Sequence, residues 1–282
     1  MATNILITGG SGYLGTHLTR YFSADDLSRR SGGDILDPEQ CARVAEYDVV
    51  IHLAALLDKS RDAEADIFET NIEGTINVLQ NVKKGAAFIF ASTKDVYGRF
   101  ADNYAEVTEE CPIYYCGQSP LEWSKLIAER YVEYYAHTRG FRSCIFRLST
   151  VYAPPSAGNV ANFVGHFADA INRGETLRLP GRGRAIRDIL HVDDLAAACK
   201  AFSDSVISHG LYNLGGGTAN AFVLRDLVTE IERISGLQAN IDAQNPLPDP
   251  VPWRYITDLS RVTQELGWKP EVALDDGLRS LF

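Results

Sequence analysis

The sequence has no run approaching the roughly 18 consecutive apolar residues of a membrane span, so no membrane-crossing segment is expected. Positive charge is also short. Lysine and arginine number 27 against 37 acidic residues, giving a net charge of −10 and a pI near 5.1. That balance argues against a nucleic-acid partner or an anionic membrane surface. A phosphate on any ligand would need local arginines. Cysteines are few and odd in number: Cys41, Cys111, Cys116, Cys144 and Cys199. No C-x-x-C pair and no Cys/His spacing suited to zinc occurs, so no metal site is expected. The thiols read as reduced, small apolar residues in a cytoplasmic protein. Neither an internal repeat nor a low-complexity tail is visible. The first strand begins at Asn4, and no signal peptide is expected.

The 282 residues that are there suit one large α/β domain, or one such domain and a smaller one. The chain opens on Asn4–Thr8, a short apolar strand, followed by glycines at 9, 10, 12 and 15. Tyr13 onward, with Leu14, Leu18 and Tyr21 on one face, reads as a helix. A strand that runs through glycines into a helix N-terminus is a place to hold a pyrophosphate. Glycines let the backbone approach the anion, and free N–H groups and the helix dipole face it.

Strands and helices then alternate, which predicts βαβ units and a parallel sheet. Asp25–Gly33 is a weak second strand ending in two arginines. Asp37 caps a short helix with Pro38 at its first position. Tyr47–Ala55 is a third strand, Ala86–Ala91 a fourth and Arg142–Leu148 a fifth. Helices are expected over about Ala63–Lys84 and Pro120–His137. Past Pro154-Pro155 the pattern loosens. A helix is expected near 160–173, a strand over Ile186–Val192 and a helix from Asp193, capped by Asp193 or Asp194. A further strand is expected over Gly210–Leu214, and helices over Phe222–Ser235 and Leu259–Leu266, with a proline-rich connector at Asn245–Pro252. The expected organisation is a dinucleotide-binding unit over 1–152, completed by about 186–220. A smaller substrate-binding lobe is expected from 153–185 and 221–282.

An acidic residue about 20 positions beyond the glycines holds a cofactor ribose, and an arginine there holds a 2′-phosphate. Here the second strand ends Ser28-Arg29-Arg30, which favours NADP, with NAD possible. Ending that strand two residues earlier makes Asp26 the ribose acid instead.

Several stretches together resemble one family. They are Thr8-Gly9-x-x-Gly12-x-x-Gly15, Gly33-Asp34-Ile35, His52-Leu53-Ala54-Ala55, Asn71-x-x-Gly74-Thr75 and Ala91-Ser92-Thr93-Lys94-Asp95-Val96-Tyr97-Gly98. Ser124-Lys125-Leu126-x-Ala128-Glu129, Arg187-Asp188-Ile189-Leu190-His191-Val192-Asp193-Asp194, Tyr212–Gly217 and Leu266-Gly267-Trp268-x-Pro270 extend the likeness over nearly the whole chain. The sequence is similar to extended short-chain dehydrogenases/reductases of the NAD-dependent epimerase/dehydratase family. The resemblance implies a Rossmann-type doubly wound parallel sheet with a smaller C-terminal substrate-binding lobe. By it, Gly9, Gly12, Tyr13 and Leu14 lie along the pyrophosphate, Asp34 and Ile35 at the adenine, and Leu53, Ala54 and Ala55 at the ribose. Asn71 is implied to be structural or on the cofactor side. A homodimer through the helices near 63–84 and 120–137 is also implied.

The family's chemistry uses a Ser/Thr, a Tyr and a Lys, the last two as Tyr-x-x-x-Lys on one helix face. The resemblance places the Thr at Thr93 and the Lys at Lys125. The tyrosine position is Leu121, which cannot transfer a proton. Asp95 is then the provisional base, because Thr93-Lys94-Asp95 resembles the Thr-Asp-Glu of sugar-nucleotide dehydratases, although Lys94 stands where the first acid would be. Tyr114, Tyr115 and Cys116 are further candidates. On the substrate side the resemblance puts Arg187 and Arg254 on a nucleotide diphosphate, which two guanidiniums suit. Asn162 falls at a substrate-touching position. Thr150 stands where some relatives carry a substrate-binding Asn. His191, Asp193 and Asp194 are read as turn residues, not a metal cluster.

The expected function is an NAD(P)-dependent enzyme on a nucleotide-activated sugar or similar small substrate. The alternatives are an NADPH-dependent keto-sugar reductase, and a non-catalytic dinucleotide-binding sensor or scaffold.

Overall fold

The computed structural model describes residues 3–156 and 162–282. Its strands are β1 (Ile5–Thr8), β2 (Asp25–Leu27), β3 (Val49–His52), β4 (Ala87–Thr93), β5 (Arg142–Leu148), β6 (Thr150–Tyr152), β7 (Thr176–Leu177), β8 (Ile186–His191), β9 (His209–Leu214), β10 (Ala221–Val223), β11 (Asn240–Ile241) and β12 (Arg254–Tyr255). The α-helices are α1 (Tyr13–Phe22), α2 (Pro38–Cys41), α3 (Glu64–Phe68), α4 (Gly74–Leu79), α5 (Pro120–Arg139), α6 (Phe163–Arg173), α7 (Val192–Asp204), α8 (Leu224–Ser235), α9 (Ser260–Leu266) and α10 (Leu274–Arg279). Among the described residues, no helix is long and apolar enough to cross a membrane.

A parallel sheet runs in the order β2-β1-β3-β4-β5-β9. Its central strands β1, β3 and β4 are apolar on both faces, which requires cover on both. Alternate residues point to opposite sides. Ile7, Ile51, Ile89 and Phe146 pack with Leu18 of α1 and Leu195, Cys199 and Phe202 of α7. Leu6, Val50, Phe88 and Phe90 pack with Leu79 of α4 and Ala128 and Val132 of α5. The chain leaves β1 toward β2 on one side and returns to β3 on the other. That reversal opens a crevice at the carboxyl edge of the sheet.

The second half builds another sheet. β8 pairs antiparallel with β10 and parallel with β12 and β6. Its core gathers Val164, Phe167 and Ile171 of α6, Leu227 and Ile231 of α8, and Leu278 of α10. Of the segment 186–220, β9 lies in the main sheet and β8 does not, which corrects the expected boundary. β9 fills the edge beside β5, while β6 leaves that edge after Ser149 and carries the chain to β8. Both runs are apolar, and apolarity does not say which edge a strand joins.

Three local differences follow from side-chain chemistry. The helix expected over 63–84 is interrupted by a π-turn at Glu69–Glu73 and ends at Leu79. The turn lies where Asn71 clamps the loop after β3. Its side chain accepts from the Leu56 amide at 2.8 Å and donates to the Leu56 carbonyl at 3.1 Å and to Ser124 at 2.9 Å. The helix expected near 160–173 is α6, and residues 160 and 161 lie outside those described. α7 is capped by His191, whose Nδ1 accepts from the Asp193 amide at 3.2 Å. Asp194 instead accepts from the backbone amides of Glu271 and Val272.

His52 ends β3 fully buried between Thr8 (2.7 Å to Nδ1) and Thr75 (2.9 Å to Nε2). Thr75 donates its own proton to the Asn71 carbonyl, so His52 Nε2 is the donor in that pair. Burial, with Lys125 adding to it, pushes the imidazole down from 6.5 to about 3. The unfolded chain therefore binds a proton between those values that the folded chain refuses. Stability should be intact above pH 6.5 and fall as the pH drops toward 3, by up to about 1.4 kcal/mol per pH unit. Urea unfolding at pH 7 and pH 5 checks this, and His52→Gln should flatten that part of the profile.

Candidate active site

A cleft of about 1000 Å³ runs from the glycine turn, along the carboxyl ends of β1, β3, β4 and β5, to the second sheet. At its entrance the chain turns through Gly9 with φ of +73°, and the Gly12 amide donates to the Gly9 carbonyl at 2.9 Å. A side chain at Gly9 would meet the Ala54 amide at 2.8 Å. α1 then starts with no side chain capping it. Its first amides face the cleft with the positive end of the helix dipole. A glycine cradle under an uncapped helix is the donor set that a pyrophosphate requires, and these residues fit a dinucleotide.

Every residue expected at the cofactor lines this cleft: Gly9, Gly12, Tyr13, Leu14, Arg29, Asp34, Ile35, Leu53, Ala54, Ala55 and Lys125. Tyr13 also anchors the cleft wall, because its hydroxyl exchanges hydrogen bonds with both backbone groups of Ala153. β2 ends at Leu27, and Ser28 caps the turn that carries Arg29 and Arg30. The Ser28 hydroxyl contacts Ser11 at 2.6 Å and donates to Asp26 at 2.7 Å. Asp26 lies under Gly10 and is not among the cleft residues, whereas Ser11, Ser28, Arg29 and Arg30 are.

Thr93, Lys94, Asp95, Leu121 and Lys125 form one wall at the end of β4 and the start of α5. The Thr93 hydroxyl oxygen accepts from the Asp95 amide at 3.1 Å, which leaves its proton for an oxygen in the cleft. Lys125 donates to the Ala91 carbonyl at 2.8 Å and sits 4.8 Å over the Phe90 ring. Burial lowers its ammonium from 10.5 to about 8, against the pull of Glu129. Leu121 is buried on the same wall and brings no polar atom.

The structure corrects the expected role of Asp95. Its carboxylate is bridged by Lys94 and by Lys59, the latter at 2.9 Å. Burial alone would raise its pKa, but the two ammoniums hold it well below the usual carboxylate range. A carboxylate so held is a poor base. Lys59 also pairs with Glu122 at 2.7 Å, and Glu122 closes the capping box of α5 by accepting from the Ser119 amide at 2.6 Å. Sequence reading missed Lys59 and Glu122. The one available signal was Lys94, a cation at a position where the resemblance expects an acid.

Of the three expected substrate-side residues, Asn162 and Arg187 line the cleft and Arg254 does not. Arg187 lines the cleft, but its guanidinium donates to the carbonyls of Ile186 and Pro252 and, at 3.0 Å, of Trp253. Asn162 lines the cleft as the N-cap of α6, with its Oδ1 accepting from the Val164 amide at 3.0 Å and its Nδ2 donating to the Val151 carbonyl. Arg254 is outside the cleft lining. Its backbone amide donates to Asp102 at 2.9 Å and its Nη2 to the Ala105 carbonyl at 2.8 Å, because β12 turns it toward the 99–105 segment. Tyr114 and Tyr115 are exposed, and Cys116 packs its sulfur against the Tyr97 carbonyl and Arg99 amide. None of these three lines the cleft. Among the described residues, no group of three or more His, Cys, Asp or Glu side chains could hold a metal ion.

Beneath this wall is a buried ion pair. Arg147 of β5 meets Glu129 of α5 through two contacts of 3.0 and 2.7 Å. It also donates to Tyr97 at 3.0 Å, and Tyr97 donates to Asn213 at 2.7 Å.

The sheet order, the glycine cradle and the Thr93–Lys125 wall define a dinucleotide-binding protein of the extended short-chain dehydrogenase/reductase type. Residues 5–215 match the family described as NAD dependent epimerase/dehydratase, and the chain belongs to that family. It is 29% identical to the dTDP-glucose 4,6-dehydratase of Mycobacterium tuberculosis, over 98% of this chain and 91% of that one. Its structure is similar to the UDP-glucose 4-epimerase of Thermotoga maritima solved with UDP-glucose. That likeness has a TM-score of 0.84 at 26% identity and covers 99% of this chain and 97% of the other. RMD of Pseudomonas aeruginosa, solved with NADPH, gives 0.83 at 25% identity, with 99% of this chain and 97% of that one covered.

Proposed function

We propose that the protein is an NAD(P)-dependent enzyme that transforms a nucleotide-activated sugar by epimerisation, dehydration or keto-reduction. One observation carries this reading: a single cleft joins the glycine cradle to Thr93 and Lys125 and then to residues of the second sheet. Relatives named for dTDP-glucose and UDP-glucose support the substrate class. When bound, the nicotinamide supplies reversible hydride exchange with a substrate carbon. Thr93 donates to the reacting oxygen, and the Lys125 ammonium fixes the nicotinamide ribose. The second sheet with α6, α8 and α10 is the substrate lobe. Arg187 holds the 252–253 backbone and presents its remaining N–H groups to the nucleotide phosphates. The protein acts in the cytoplasm as a homodimer, and exposed Tyr131 and Tyr134 on α5 give that helix a surface for a second copy.

The preferred cofactor is NADP. Ser11, Ser28, Arg29 and Arg30 gather hydroxyls and guanidiniums at the end of β2, and Asp26, the alternative ribose acid, is not among the cleft residues. Arg29→Ala should weaken NADP by about 10–100-fold relative to NAD, the worth of one charge-assisted hydrogen bond. Fluorescence titration with both reduced cofactors measures this, and equal losses for the two would contradict it.

Leu121 favours a second reading, a binding protein that holds the dinucleotide without turnover. Incubation with each cofactor and a panel of UDP- and dTDP-sugars separates the two. The enzyme reading expects a changed sugar or reduced nicotinamide. A bound cofactor that never exchanges hydride with any of them supports the second reading. If the wall is catalytic, Leu121→Tyr should raise a slow reaction by about tenfold, since a positioned acid–base group contributes about 10²–10⁴.

A further inference from the structure

The wall that lacks a tyrosine contains a buried amine that no assigned role uses. Lys94 follows Thr93 at the end of β4, lines the cleft and is almost wholly buried. Its Nζ donates to one oxygen of Asp95, and the other oxygen of Asp95 is taken by Lys59. Arg187 of β8 faces it as a second positive charge, and the Tyr255 ring of β12 lies beneath it, 5.2 Å from Nζ. The groups that act on this ammonium are therefore the Asp95 carboxylate and the Tyr255 ring in contact with it, and the charges of Arg187 and Lys59.

We propose that Lys94 is the proton-transfer group of the cleft, performing the acid–base step for which Leu121 has no polar atom. The inference rests on the functional reading above. In the oxidative direction the substrate O–H bond breaks, and its proton bonds to the Lys94 amine. The C–H hydride goes to the oxidised nicotinamide dinucleotide, and a C=O bond forms. In the return direction the ammonium gives the proton back as the carbon regains a hydride. Asp95 holds the ammonium in place, and Lys59 is a positioning residue that keeps Asp95 ionised.

The other ionisable groups on the wall serve less well. Asp95 is held by two cations. Lys125 is already assigned to the nicotinamide ribose, and it is held beside that position by the Ala91 carbonyl and the Phe90 ring. For Lys94, burial lowers the pKa, with Arg187 and Lys59 adding to it and Asp95 opposing. An amine so placed is accessible nearer neutral pH than an ordinary lysine.

The test has two arms on the full-length protein. In the first, lysine side chains are labelled with ¹⁵N and titrated by NMR in the complex with NADP⁺, with Lys94 assigned from Lys94→Arg. Lys94 should titrate below the ordinary lysine value of 10.5. Lys59→Met should move it upward, because a repelling charge is lost and Asp95 is left to Lys94 alone. A Lys94 that titrates with the surface lysines and ignores Lys59→Met overturns the proposal. In the second arm, hydride transfer from UDP-glucose and dTDP-glucose is followed in single turnovers. Lys94→Met should slow it by about 10²–10⁴-fold while NADP⁺ affinity stays within about twofold. Adding Leu121→Tyr should restore part of the rate. Native turnover that survives Lys94→Met overturns the proposal and leaves the functional reading intact. A native protein with no turnover contradicts the functional reading itself, and the titration arm still decides whether Lys94 has the required proton affinity.

Discussion

Gly15→Ala should weaken dinucleotide binding by about 10²–10⁴-fold. Gly15 lies in the first turn of α1, directly against the glycine turn. A Cβ there would stand 2.0 Å from the Gly9 carbonyl oxygen and 2.8 Å from the Gly10 Cα. Both neighbours are backbone, so neither can rotate away. Either α1 shifts or the turn opens, and opening breaks the bond from the Gly12 amide to Gly9. The amides of the cradle then no longer converge on one anion. Losing two charge-assisted hydrogen bonds of about 1.5–3 kcal/mol each weakens binding by about 10²–10⁴-fold. The overpacking itself costs about 1–3 kcal/mol of stability. Cofactor fluorescence titration and thermal unfolding, run together, measure the two effects. Unchanged affinity with unchanged stability would mean that α1 and the turn do not meet as described.

The second large effect lies under the Thr93–Lys125 wall. Arg147→Met leaves Glu129 buried at 1% exposure without its cation. Breaking one side of a buried pair costs about 3–5 kcal/mol, because the remaining charge is uncompensated. Glu129 keeps the Ser92 hydroxyl and the charge of Lys125, and Tyr97 loses one of its partners. The double variant Arg147→Met/Glu129→Leu should regain much of that loss, since it removes the stranded charge. Urea unfolding of the two single variants and the double resolves the cycle. Additive losses would show that the two side chains do not act as a pair. Lys125 stands one turn before Glu129 on α5, so the pair also fixes the floor on which the lysine sits.

What the sequence makes legible here follows from local chemistry. β1, β3, β4 and β5 are apolar runs between turn residues, and such runs have few other uses. The glycines at 9 and 15 answer to backbone crowding that no other residue tolerates, and a Cβ at Gly12 would stand 3.0 Å from the Gly9 carbonyl oxygen. Thr93, Leu121 and Lys125 are fixed relative to each other by β4 and one face of α5, so their spacing carries over into space. The misses involve partners distant in the chain. Arg254 depends on how β12 turns against the 99–105 segment. Lys59 reaches Asp95 across 36 positions from the loop after β3, and nothing periodic in that loop announces it. β8 and β9 have similar apolar character, and only their pairing partners tell the two sheets apart.

If this cleft moves a hydride between a nucleotide sugar and a bound nicotinamide although residue 121 is leucine, the hydride must pass through the cofactor. The most direct measurement follows isotope into the cofactor. Native protein with NADP⁺ is mixed with UDP-glucose or dTDP-glucose carrying deuterium on the ring carbons and quenched within the first turnover, before the hydride can return to the sugar, and the reduced cofactor is examined by mass spectrometry. Deuterium on the nicotinamide ring, at a rate that falls in Thr93→Val and Lys125→Met, is the predicted result. A cofactor that stays bound and unlabelled with either sugar would contradict the account and identify a protein that only holds its dinucleotide.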